Sequence, residues 1–151
     1  MPREYGVPSS SEHLLPWSHV RDRMRAARHY WLATVTPEGA PTCRPIAGMW
    51  VDDRLYFGGS AESRWARNLA SNQRASVHLE DADKPVILEG TVRAVEPDRA
   101  LAERIAAASN EKYGQGQTLD DYRAGPIGEF TPHTAFAWTA LYRDATRWRI
   151  S

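Results

Sequence analysis

The chain has 151 residues, the length of one domain, and its 42% hydrophobic and 25% charged composition suits a soluble core needing neither disulfides nor a structural metal. Lys+Arg and Asp+Glu are both 19, so zero net charge gives no global attraction for nucleic acid, and the single cysteine, Cys43, excludes an internal disulfide. No apolar run reaches the ~18 residues of a membrane helix, and Met1–Gly6 has no apolar signal core; the expectation is a cytoplasmic protein with no nucleic-acid or membrane partner.

Residues 1–13, with Pro2, Pro8 and Ser9 to Ser11, read as a flexible arm, and 14–151 as the domain. Pro16 suits a first helical position, and Trp17, Val20, Met24 and Ala27 form one apolar stripe. Arg21, Arg23, Arg25 and Arg28 then read as a solvated face. Strands are expected over Tyr30–Thr36, Thr42–Val51, Arg54–Phe57, Ala75–Glu80 and Val86–Val95. Within the second, Pro45 marks an edge or bulge and Gly48 a bend or close approach. A short helix is expected over Glu62–Ala70, and another opened by Pro97 with Leu101, Ile105 and Ala108 on one face. Tyr113–Gly128 is a Gly-containing loop with a turn of helix at Leu119–Arg123. Ala135–Tyr142 and Thr146–Ile150 close the chain as a hairpin around Arg143-Asp144. Strands joined by tight turns pair antiparallel, so the expected fold is mainly β: a six- or seven-stranded antiparallel barrel with two or three helices.

Common catalytic arrangements are missing. There is no Gly-x-Ser-x-Gly elbow and no Gly-Lys phosphate loop. His13, His19, His29, His78 and His133 lack metal-ligand spacing, so no metal is expected. Cys43 reads as a small buried residue. The richest stretch is Phe57 to Leu69, a strand entering Gly58-Gly59-Ser60 and then a helix carrying Ser63, Arg64 and Arg67. Unpaired helix N–H groups and forked arginines suit an anion. A plain serine cap with two solvated arginines fits the same residues. Along Thr42–Trp50, alternation places Arg44 and Ile46 on one face and Pro45 and Ala47 on the other, and a flat ring could lie where Pro45 and Gly48 leave the surface open; an ordinary edge strand with Trp50 in the core fits as well.

Taken in order, Tyr30-Trp31-Leu32-Ala33-Thr34-Val35, Pro37-Glu38-Gly39, Arg44-Pro45-Ile46, Leu55-Tyr56-Phe57, Ser63-Arg64-Trp65-Ala66-Arg67-Asn68-Leu69 and Val86-Ile87-Leu88-Glu89-Gly90-Thr91-Val92 resemble the pyridoxamine 5′-phosphate oxidase-like family over roughly residues 14–150. The ending Thr146-Arg147-Trp148 resembles its flavin/deazaflavin oxidoreductase branch. The resemblance implies an FMN-binding split β-barrel. It also implies a homodimer with the cofactor at the subunit interface. The ring would lie on Arg44, Pro45, Ile46 and Ala47. The phosphate would sit at Gly58, Ser60, Ser63, Arg64 and Arg67, near Asn68. The partner copy's C-terminal region, here Trp138, Arg147 and Trp148, would complete the pocket. One departure is Trp65, where many members carry lysine; another is the lack of a pyridoxamine phosphate recognition set.

The implied function is an oxidoreductase passing a hydride between a cofactor and a small organic acceptor. The deazaflavin F420 is favoured by the closing Thr146-Arg147-Trp148, with FMN the alternative. Tyr113 and Tyr122 are candidate substrate contacts. The rival reading is a non-catalytic protein that binds or sequesters a cofactor or haem.

Overall fold

The computed structural model describes residues 11–114, 116 and 126–151. Among them are eight strands: β1 Tyr30–Val35, β2 Pro41–Ile46, β3 Met49–Val51, β4 Arg54–Phe57, β5 Arg74–His78, β6 Val86–Val95, β7 Ile127–Ala137 and β8 Thr146–Arg149. Four α-helices accompany them: α1 Trp17–Ala26, α2 Arg64–Ser71, α3 Arg99–Tyr113 and α4 Leu141–Asp144. Of the arm expected over 1–13, only Ser11–His13 is described, as one 3-10 turn. No described helix is long and apolar enough to cross a membrane.

All pairings are antiparallel, in the order β2-β1-β5-β6-β7-β4-β3. β7 is the fork: β4 pairs with its first residues, β8 with its last, and β6 runs along its other edge. The outer strands β2 and β3 are consecutive in the chain, yet make no ladder with each other. The sheet therefore curls into a split barrel that meets itself at Ala47-Gly48.

The expected single strand Thr42–Val51 is thus two strands. Pro45 has no N–H to donate. Gly48 lies so close to the next hairpin that a Cβ there would meet Leu55 Cδ1 at 2.9 Å and Tyr56 O at 3.1 Å. That split raises the strand count to eight. The closing hairpin also differs: β7 ends at Ala137, and Asp144 Oδ1 accepts from the N–H groups of Thr139 (2.8 Å) and Ala140 (3.1 Å), which turns the chain into α4.

Period-two alternation fills the barrel. β1 buries Tyr30, Leu32 and Thr34 and leaves Trp31, Ala33 and Val35 half exposed. The inward residues join Leu55, Phe57, Val77, Leu88 and Phe130, and α1 closes the cluster with Val20 and Met24. A second cluster packs Ile105 of α3 against Met49, Val51 and Tyr56. The turn between β3 and β4 holds Asp52 and Asp53 at φ 52° and 58°. Each carboxylate pairs with a different helix, Asp53 with Arg21 (2.9 Å) and Asp52 with Arg104, so the hairpin staples α1 to α3. These bonds hold both carboxyls below the usual range.

Candidate functional site

Local chemistry sets the start of α2. Ser63 Oγ accepts from Ala66 N at 3.3 Å, so the helix begins at Arg64, two residues later than expected. Ser60 Oγ accepts from Glu62 N at 3.1 Å. Ser63 thus caps α2, and Ser60 closes a side-chain turn before it. Asn68 is buried and faces inward: its Nδ2 donates to Thr34 Oγ1 at 3.0 Å and Thr42 Oγ1 at 3.1 Å. It fastens α2 to β1 and β2.

Trp65 takes a structural place. Its ring meets Phe57 edge to face, centroids 5.3 Å apart. It also closes on Gly59, where φ is +155° and a Cβ would stand 2.7 Å from Trp65 Cζ2. The indole therefore pins the Gly58-Gly59-Ser60 loop, a job that a lysine stem cannot do to the same extent.

Arg64 and Arg67 remain. Both are exposed, and neither makes a hydrogen bond or ion pair among the described residues. One helical turn apart, their guanidinium groups stand on the same side of α2 with their donors free. The exposed Gly58 and Ser60 lie beside them in the chain. Across from α2, β2 is an edge strand. Arg44 and Pro45 are exposed, as is Ala47 just beyond the strand, with Ile46 half buried. Thr42 shares a face with Arg44, so the bond from Asn68 to Thr42 ties this strand to the helix carrying the two arginines. The corner is open, and among the described residues no group takes up the Arg64 and Arg67 donors.

Cys43, expected to be buried, is exposed. The reason is that β2 is an edge strand with its outward face uncovered. Pro45 opens a longer row on that face. Registered neighbours across six strands run Pro45, Trp31, His78, Ile87, Phe136, Arg147. Trp31 and His78 stack at 6.3 Å, and all six are at least partly exposed. Trp148 packs edge to face on Trp17 at 5.6 Å, while Arg147 is exposed and Trp138 half buried.

Two grooves lie elsewhere. One of ≈ 1170 Å³ runs between α1, the Asp52-Asp53 turn and α3; another of ≈ 470 Å³ crosses the outer sheet face at Ala33, Ser76, Gly90 and Thr134. Neither is lined by Arg64 or Arg67. Tyr113 is the last residue of α3, with its hydroxyl turned to the backbone of Arg28 and Gly48. Tyr122 and the expected turn of helix at Leu119–Arg123 lie outside the described residues.

The family described as pyridoxamine 5′-phosphate oxidase matches residues 17–139. No curated protein matches the chain. Among solved structures, the conserved hypothetical protein Rv2991 from Mycobacterium tuberculosis is 23% identical with a TM-score of 0.70, covering 87% of this chain and 89% of that one. HutZ, the haem storage protein from Vibrio cholerae, is 20% identical with a TM-score of 0.64, covering 83% and 97%. A structure described as F420 reductase is 20% identical with a TM-score of 0.57, covering 76% and 94%.

Proposed function

The chain belongs to the pyridoxamine 5′-phosphate oxidase family, and from that premise we propose that it is an oxidoreductase of the flavin/deazaflavin branch, using F420, or alternatively FMN, to reduce a small organic acceptor. The observation that carries this reading is the open corner at α2, where Arg64 and Arg67 present guanidinium groups that no described residue pairs, beside an exposed edge strand.

The residues fit the cofactor. Arg64 and Arg67 would hold its phosphate through charge-assisted bonds. Gly58 and Ser60 would edge the anion, with Ser63 and Asn68 fixing the helix from which the arginines project. Pro45, Ile46 and Ala47 would support the ring, and Arg44 would stand at its edge. When bound, F420 or FMN supplies the hydride chemistry; the chain supplies binding, orientation and exclusion of water. That division of labour accounts for a site with no acid–base dyad.

One protomer leaves this corner open to solvent, so the proposal includes a homodimer. The row from Pro45 to Arg147 is an exposed sheet face with Trp31, Ile87 and Phe136 at its centre. In a two-fold interface the row meets its own copy reversed. Arg147 of one copy would then approach Pro45 of the other. Trp138 and Trp148 would add to the pocket from the same C-terminal region.

The test is oxidation of enzymatically reduced F420 and of reduced FMN by the purified chain, with a panel of quinones and activated alkenes. Acceptor-dependent loss of reduced cofactor supports the reading. The similarity to a haem storage protein makes haem the competing ligand. A Soret band, with no turnover of either reduced cofactor, would favour that role instead.

A further inference from the structure

Gly48 sits at the break between β2 and β3, so neither its N–H nor its carbonyl belongs to a ladder. The residue is buried, and the end of α3 meets both groups. Gly48 N–H donates to Tyr113 Oη at 3.1 Å, and Lys112 Nζ donates to Gly48 O at 3.1 Å. The Tyr113 hydroxyl carries one proton and faces two carbonyls, Arg28 O at 2.7 Å and Gly48 O at 3.2 Å. The shorter contact takes the proton. The Gly48 carbonyl therefore depends on Lys112.

Lys112 is itself held in place. Its Nζ donates to Tyr30 Oη at 2.6 Å, and Tyr30 donates onward to Met24 O at 2.5 Å. The ammonium stands 4.9 Å from the centroid of the Tyr30 ring. Arg28 closes the cluster, donating to Lys112 O at 2.7 Å with its guanidinium 5.3 Å over the Tyr113 ring.

Gly48 directly follows Ala47, the end of the exposed run Arg44–Ala47. We infer that Lys112 is a positioning residue: by holding the Gly48 carbonyl it fixes how Arg44–Ala47 leaves the barrel, and so the surface on which the cofactor ring lies. This rests on the proposed cofactor reading. Without that donor the buried carbonyl is left unsatisfied, and the backbone at Gly48, which leads directly from Ala47, loses one of its two side-chain anchors.

The test uses the full chain as Lys112→Met and Lys112→Arg, with two readouts. Hydrogen exchange at Gly48 and Met49, without cofactor, reports the latch; titration with F420 and FMN reports its consequence. Lys112→Met should speed that exchange and weaken cofactor binding by about tenfold or more each, and Lys112→Arg should restore both to within about threefold of wild type. Should Lys112→Met fail to fold, Tyr113→Phe, which loses the acceptor for Gly48 N–H, must shift both readouts the same way. Faster exchange with unchanged affinity overturns the proposal, as does an arginine variant no better than the methionine one. A wild-type chain that binds neither cofactor would overturn the functional reading and this proposal with it, and is distinguished by the wild type itself failing.

Discussion

Asn68 joins two threonine hydroxyls that are themselves 3.0 Å apart, so one buried amide fastens the arginine-bearing helix to the edge strand. Asn68→Ala leaves those hydroxyls a donor short and should cost about 1–3 kcal/mol of stability, read by urea unfolding. Lys112 provides a pH handle. Burial first, and Arg28 second, push it down to about 8 from 10.5. Across that interval the unfolded chain binds more protons than the folded one, so stability should rise with pH from about 8. Near pH 10 Tyr30, which burial keeps protonated, begins to oppose the trend. Thermal unfolding between pH 8 and about 9.5 should show the rise in wild type and a weaker one in Lys112→Met. At this scale the exposed place of the two arginines near the start of α2 was legible, because a strand, a Gly-rich loop and a serine cap locate that helix. The separate roles of the serines were not. Their spacing allowed cap and ligand donor equally, and only the bonds to Glu62 and Ala66 show that Ser63 caps α2 and Ser60 closes a turn before it. That Trp65 pins Gly59 was not legible, since the contact depends on how the loop folds back.

The break between β2 and β3 carries the most consequence among the elements. Pro45 and Gly48 hinted at a bend, but the run Thr42–Val51 has no polar interruption to mark two strands. What divides it comes from far along the chain: the Tyr113 and Lys112 side chains that replace the missing ladder bonds. Such partners, more than 60 residues away, leave no trace in local periodicity. Gly48→Ala tests the close approach. Its Cβ would press on Leu55 and on the Tyr56 carbonyl, so a loss of about 1–3 kcal/mol is expected by denaturant unfolding, without loss of the barrel's circular dichroism. β1, β6 and α3 read well because their signals are local, whereas β7, at Ile127–Ala137, was expected only over Ala135–Tyr142 and α4 was not expected. β1 alternates cleanly, β6 is bounded by turns, and Asp98 caps α3 through Leu101 N at 2.8 Å. The exposure of Cys43 escaped prediction because edge position is a property of the whole sheet.

For the whole molecule, the split barrel explains why a chain of zero net charge gathers free arginines at one corner and an apolar row on one face. The dimer proposal predicts that Ile87→Glu, placing a charge in the middle of that row, converts a two-fold dimer to a monomer by sedimentation and weakens cofactor binding with it. A wild-type monomer at micromolar concentration would contradict the shared pocket. The central claim, a redox cofactor held by its anionic tail at α2, is tested most directly by fluorescence titration with F420 and FMN, comparing wild type with the Arg64→Ala/Arg67→Ala chain. Saturable binding of at least one cofactor, weakened about a hundredfold in the double variant, is the expected result. Equal affinity in the two proteins, or no binding by wild type, would contradict it.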